Sequence, residues 1–302
     1  MPHGGCVTVR QLLGVVEMRT QLVSASTLDA ATHYALRETG RLDYTALALA
    51  VPAVLLVDMG TTAFNSFFDW WRGVDEVSRG READKVLVTE GVAPLAALLA
   101  ALACYAGAAA FGLALAFLSG AWVLFAGALC LAVGCLYSGV PRPISRTPFG
   151  ELFAGGFLGT ALFLIAFRLQ TGGWGVRPAL ASVPGALLIA SILAVNNACD
   201  MEGDRDSGRK TLAILAGERF AAIIPMALGA AAFASEGFLA ARGLLPLACA
   251  PAAVVSVIAS LPIYAGMRSR GFSHETKSAS MKSVLVVFSI WSLGLLAGLA
   301  SG

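Results

Sequence analysis

The chain has 302 residues, 57% of them hydrophobic and 13% charged, with 33 Gly and a formal net charge of +2. A soluble domain carries about 25% charged residues, so the composition excludes an ordinary soluble enzyme, and its hydrophobicity excludes a disordered chain. The balance of 21 Lys+Arg against 19 Asp+Glu leaves no large basic surplus for a nucleic-acid partner. What remains is a polytopic membrane protein. Its apolar runs far exceed the roughly ten residues of a barrel strand, and their Gly, Ala and Ser suit closely packed helices, so the expected class is all-α.

In chain order the apolar runs are 11–36, 44–68, 92–117, 120–139, 149–171, 179–199, 219–241, 244–266 and 283–301. They predict nine transmembrane helices in a single domain over residues 1–302. The first is the most polar, carrying Glu17, Arg19, Asp29 and His33. The start of the chain lacks the pattern of a cleaved signal peptide, so insertion is expected to rely on the first spans. Cys6, Cys104, Cys130, Cys135, Cys199 and Cys249 form no CxxC pair, and most lie inside apolar runs, as small buried hydrophobes do.

With nine spans, the loops after the second, fourth, sixth and eighth share a side with the N-terminus. That side carries Arg72, Arg79, Arg81, Lys85, Arg142, Arg146, Arg205, Arg209, Lys210, Arg219, Arg268, Arg270, Lys277 and Lys282; the other carries Arg37, Arg41, Arg168, Arg177 and Arg242. The positive-inside bias therefore predicts a cytoplasmic N-terminus and cytoplasmic even-numbered loops, in a cell inner membrane.

The acidic residues follow the same division. Asp69, Asp75, Glu76, Glu82 and Asp84 fall after the second span, and Asp200, Glu202, Asp204 and Asp206 after the sixth. At about 100° per residue, Asp58, Asn65 and Asp69 share one helical face, as do Asn196, Asp200 and Asp204. Asp58, nearly three turns inside the membrane, must be protonated, paired or wet; a hydrogen bond to another helix and a functional role are both open. Glu82 and Asp84 read as solvated loop charge. Facing carboxylates repel unless cations intervene, and hard oxygen ligands with open positions suit Mg²⁺ shared with a phosphorylated substrate. The constellation reads as a magnesium diphosphate site.

These motifs resemble those of UbiA-type intramembrane prenyltransferases. Asn65, Asp69 and Asp75 match the family's first motif, and Asp200 with Asp204 the second; Tyr137-Ser-Gly-Val-Pro-Arg142-Pro, Gly150-Glu151-Leu and Gly208-Arg209-Lys210-Thr211-Leu212 extend the likeness. Most members carry the last Asp of the first motif where this chain has Gly73. Gly73-Val-Asp75, with Asn196-Asn197 before the second motif, instead resembles the members that prenylate 1,4-dihydroxy-2-naphthoate in menaquinone synthesis. The chain departs from the family in lacking an Arg-Pro-x-Thr start, with Arg19-Thr20 in its place, and in Asp206.

The resemblance implies a UbiA-like bundle that moves a polyprenyl group from an allylic diphosphate to an aromatic acceptor beside the lipid bilayer, with Mg²⁺ as cofactor. By the same resemblance Asp69 and Asp75 hold one ion and Asp200 and Asp204 the other, with Asn65 and Asn196 as neutral ligands or orienting donors. Arg72, Arg142, Arg209 and Lys210 become candidates to grip phosphate oxygens, Tyr137 a substrate contact, and Arg19 a partner for an acceptor carboxylate. Phe64, Phe67, Phe68, Trp70, Trp71, Phe153 and Phe157 lie near the motifs and could face an allyl cation, or belong to the core or the lipid surface. Two other readings remain open: another acceptor or a cyclase on the same fold, and a transporter using the carboxylates as relays. The gathering of acidic residues at one face speaks against the transporter.

Overall fold

The computed structural model describes residues 8–17, 20–73, 87, 91–139 and 143–301. Every regular element among them is helical. In chain order these are α1 (Val9–Val15), α2 (Gln21–Thr39), α3 (Tyr44–Trp71), α4 (Pro94–Ser119), α5 (Trp122–Ser138), α6 (Gly150–Thr171), α7 (Val176–Cys199), α8 (Met201–Asp206), α9 (Leu212–Ala216), α10 (Glu218–Ala241), α11 (Cys249–Arg270) and α12 (Lys277–Ala300). Local chemistry sets many boundaries. Pro94 opens α4, where a missing N–H costs nothing, and Gly172 at φ 78° closes α6 in the left-handed conformation.

Seven helices, α3, α4, α6, α7, α10, α11 and α12, are long and apolar enough to cross a membrane. Of the nine expected spans, that leaves two. The α5 helix is apolar but only 17 residues long, and α2 carries Asp29, His33, Arg37 and Glu38. Large apolar side chains stand exposed all along these helices, among them Phe117, Phe125, Leu129, Ile258, Leu261 and Leu293. So much exposed apolar surface fits lipid as the surrounding medium and makes the chain an integral membrane protein.

Several boundaries differ from the sequence expectation. The run 11–36 is two helices, because Glu17 takes φ 42° and ends the first of them. The eighth span begins at Cys249 rather than 244, since Leu244 and Leu245 turn back to donate to the Leu239 carbonyl before Pro246. The ninth begins at Lys277 rather than 283, placing its polar first turns outside the apolar run. Within α6, Gly155–Ala161 winds as a π-helix, a widening that an apolar pattern does not announce.

The chain forms two compact units, Met1–Ala25 with Tyr44–Ser145, and Ser26–Asp43 with Arg146–Gly302. In the first, α3 packs along α4 and α5, around a core of Ala63, Phe64, Ala97 and Ala101 joined by Val15, Val16, Leu87 and Val92. Phe64 meets Tyr105 edge-on with ring centroids 5.1 Å apart. In the second, α7 packs against α6, α10 and α12, and α11 against α12. Gly155 and Gly159 let α6 press onto Ala186 of α7, where any Cβ would collide with backbone atoms.

Candidate functional site

The first acidic motif occupies the end of α3. Asp69 is buried, and Asn65, one turn earlier, accepts a hydrogen bond of 2.7 Å from Ser138 Oγ at the end of α5. Arg72 donates from Nη1 to the Ser138 carbonyl at 2.6 Å, and its guanidinium lies 5.4 Å from the Phe68 ring centroid. One residue, Ser138, thus ties both polar ends of the motif to α5, next to Tyr137. Three turns inward, Asp58 is buried and accepts a 2.5 Å hydrogen bond from Ser24 Oγ of α2. Of the two roles open for Asp58, the structure displays the helix-to-helix hydrogen bond.

The second motif forms where α7 gives way to α8. The chain is helical through Cys199, pauses at Asp200 (φ −96°, ψ 3°) and resumes at Met201, which sets Asp200 and Asp204 about a turn apart. Asp200 is surrounded by donors: Asn196 Nδ2 at 3.3 Å, Lys277 Nζ at 2.7 Å and His274 Nδ1 at 4.0 Å. Asp204 is buried and pairs with Arg209 at 3.2 Å, while the Arg209 backbone N–H donates to the Asp204 carbonyl. The segment before α6 closes on the same region, since Arg146 donates to the Ser207 carbonyl and accepts the Lys210 N–H through its own carbonyl. Lys210 keeps its side chain exposed.

Just inside this motif, Asn197 Nδ2 donates to Glu151 Oε1 at 2.9 Å; both side chains are buried. The sequence expectation names neither residue of this pair as a site residue, nor Lys277 or His274. Lys277 lay in view only as one of the basic residues that set topology. Asp75, Arg142 and Arg19 lie outside the described residues. Among the expected aromatic residues, Phe64 is core, Phe67 and Phe68 pack edge to face, Trp70 and Trp71 are exposed, and Phe153 stacks on Phe157 at 5.9 Å.

Carboxylates and amide oxygens are hard donors, the chemistry Mg²⁺ takes. Among the described residues no three Asp, Glu, His or Cys side chains form a closed cage. By donor chemistry alone the residues present fit Mg²⁺.

Residues 26–293 match the model of the UbiA prenyltransferase family. The chain is 37% identical over 179 residues to a 1,4-dihydroxy-2-naphthoate octaprenyltransferase of Bacillus subtilis (strain 168), an alignment covering 59% of this chain and 57% of the relative. To the protein of the same name from Mycobacterium tuberculosis it is 29% identical over 265 residues, 85% of each chain. The human UbiA prenyltransferase domain-containing protein 1 is 29% identical over 214 residues, covering 70% of this chain and 62% of that one. The fold of the present chain is similar to that of a UbiA homolog from Archaeoglobus fulgidus solved with GPP and Mg²⁺, with a TM-score of 0.66, 15% identity, and coverage of 96% of this chain and 99% of that one. With paired Asp motifs at the ends of α3 and α7 and a family match across nearly the whole chain, this protein belongs to the UbiA prenyltransferase family.

Proposed function

We propose that this protein is a Mg²⁺-dependent prenyltransferase that moves a polyprenyl group from an allylic diphosphate to 1,4-dihydroxy-2-naphthoate in menaquinone biosynthesis. The observation that carries the reading is the second motif, where a buried apolar helix ends in carboxylates clasped by cationic side chains, Lys277 on Asp200 and Arg209 on Asp204. A site that holds both signs of charge at a membrane helix end can take a metal ion on its carboxylates and phosphate oxygens on its cations. The acceptor rests on the similarity to the two naphthoate octaprenyltransferases.

In this reading Asp69 and Asp75 hold one ion and Asp200 and Asp204 another, with Asn65 and Asn196 orienting them. Mg²⁺ supplies neutralisation of the charge that develops on the departing diphosphate. Arg72, Arg142, Arg209 and Lys210 grip phosphate oxygens, Arg through a two-pronged fork and Lys as a point charge; Tyr137 contacts the substrate and Arg19 the acceptor carboxylate. The allylic carbon–oxygen bond breaks, and the carboxyl-bearing ring carbon forms the new bond with loss of CO₂. Apolar helices exclude water from the cation, and the isoprenoid tail lies in the bilayer. The N-terminus and motif loops face the cytoplasm.

The test is prenyl transfer by purified protein with a prenyl diphosphate, 1,4-dihydroxy-2-naphthoate and Mg²⁺. Asp69→Ala and Asp200→Ala abolish turnover; wild-type-like turnover in either sinks the metal assignment. Expression in a strain lacking its own naphthoate prenyltransferase restores menaquinone, and failure despite good expression refutes the acceptor.

A further inference from the structure

Glu151 stands in the first turn of α6 with 5% of its surface exposed, more than nine-tenths buried. Asn197 satisfies Oε1 at 2.9 Å, whereas Oε2 is buried and has no hydrogen-bond partner among the described residues. A buried carboxylate oxygen left without a donor forfeits its solvation with nothing in return. The position at a helix N-terminus favours negative charge there, yet it supplies no hydrogen bond to Oε2. A side chain kept only for packing, or only to hold Asn197, has no need of a second acidic oxygen.

A carboxylate oxygen accepts and does not donate, so its partner must be an N–H, an O–H or a cation. Diphosphate oxygens carry no hydrogen at neutral pH and are excluded, as is the hydrocarbon tail of a prenyl donor. Asn196 points its amide at Asp200, whereas Asn197 gives its amide to Glu151. A metal ion at Oε2 would tie Glu151 to the diphosphate, so its loss would raise KM for the prenyl diphosphate as well, which the experiment below reads separately. Of the species the proposed reaction brings together, a dihydroxylated aromatic acceptor is the one that carries O–H donors.

We infer that Glu151, oriented by Asn197, binds the aromatic acceptor by accepting a hydrogen bond from one of its ring hydroxyls at Oε2. The inference rests on the prenyltransferase reading and adds to it a residue that recognises the acceptor rather than the donor. Held this way, the hydroxylated ring is fixed one helical turn inside the second acidic motif, on its apolar side.

The experiment measures prenyl transfer by the wild type, Glu151→Met and Glu151→Gln, varying each substrate in turn. Glu151→Met raises KM for 1,4-dihydroxy-2-naphthoate about tenfold or more, as loss of a hydrogen bond to a charged group requires, and leaves KM for the prenyl diphosphate within about twofold. Glu151→Gln, whose amide oxygen still accepts, recovers most of the affinity. The 1- and 4-monomethyl ethers of the acceptor, used as competitive inhibitors, supply the ligand side of the cycle. One of them binds wild type about tenfold more weakly than the parent and loses that deficit in Glu151→Met. Equal rises in both KM values, or no rise, overturn the inference, as do two ethers that both bind wild type as tightly as the parent. That last comparison needs no variant to fold. A wild type that transfers no prenyl group to the naphthoate refutes the underlying reading instead.

Discussion

Lys277 Nζ lies 2.7 Å from Asp200 Oδ2, although 77 positions separate the two in the chain. The contact joins the first turn of α12 to the end of α7, and both side chains are mostly buried, at 13% and 18% exposure. Desolvation offsets much of the attraction within such a partly buried pair, but removal of one partner strands the charge of the other. Lys277→Met is therefore expected to lower the stability of the metal-free protein by about 1–3 kcal/mol, read as a lower Tm in detergent. Added Mg²⁺ raises the Tm of the variant more than that of wild type, because a bound cation replaces the lost counter-charge. An unchanged Tm without metal shows that the pair contributes nothing.

Most of the helices, and the helix ends that carry Asp69 and Asp200, were legible in the sequence for an identifiable reason. Long apolar runs have a single solution in lipid, and an i, i+4 spacing fixes a face whatever the tertiary structure. What stayed hidden depends on contacts between distant segments. Lys277 could be placed on the side of the motifs by counting loops, but nothing in its neighbourhood tells it from Lys282 as a partner for Asp200. Asn197 looked like a repeat of Asn196, and only the packing of α6 on α7 gives it Glu151 instead. The break at Glu17 escaped because a left-handed residue without glycine carries no mark in the sequence.

The two glycines Gly156 and Gly159 in the π-helical turn of α6 should respond oppositely to alanine. A Cβ at Gly159 would lie 2.5 Å from Ala186 Cα, so α6 and α7 must separate to admit it. Gly159→Ala is expected to destabilise by about 1–3 kcal/mol, the usual range for overpacking. Gly156 meets nothing within 4 Å, and its replacement by Ala is neutral or stabilising by about 0.4–1 kcal/mol through the unfolded state. Thermal melts of the two variants in one detergent check the contrast, and equal losses would remove the close approach of the helices as its cause.

Asp58 is expected to tolerate a change that its hydrogen-bond partner does not. Ser24→Ala leaves the buried Asp58 carboxylate without its 2.5 Å donor and costs about 1–3 kcal/mol. Asp58→Asn keeps an acceptor for Ser24 and removes the burden of a carboxylate within the apolar part of α3, so its Tm matches or exceeds that of wild type. Prenyl transfer by Asp58→Asn remains near wild type if the hydrogen bond is the residue's whole role. A loss of turnover without a loss of Tm assigns Asp58 to the chemistry instead.

Glu236 poses a similar problem in the other unit, with 1% of its surface exposed on α10. Trp291 Nε1 of α12 donates to Oε2 at 2.8 Å, while Oε1 has no hydrogen-bond partner among the described residues. The indole N–H is therefore a principal support for a polar group among apolar helices. Trp291→Phe keeps an aromatic ring but removes that donor and some packed volume, and is expected to cost about 2–4 kcal/mol. Glu236→Gln keeps an oxygen for the indole and buries no carboxylate, so it is neutral or stabilising on its own. In the double variant the Trp291→Phe penalty shrinks, because a Gln without the indole donor costs less than a carboxylate without it. A double-mutant cycle on Tm reads this coupling directly, and strict additivity of the two changes shows that the hydrogen bond between α10 and α12 does not contribute to stability.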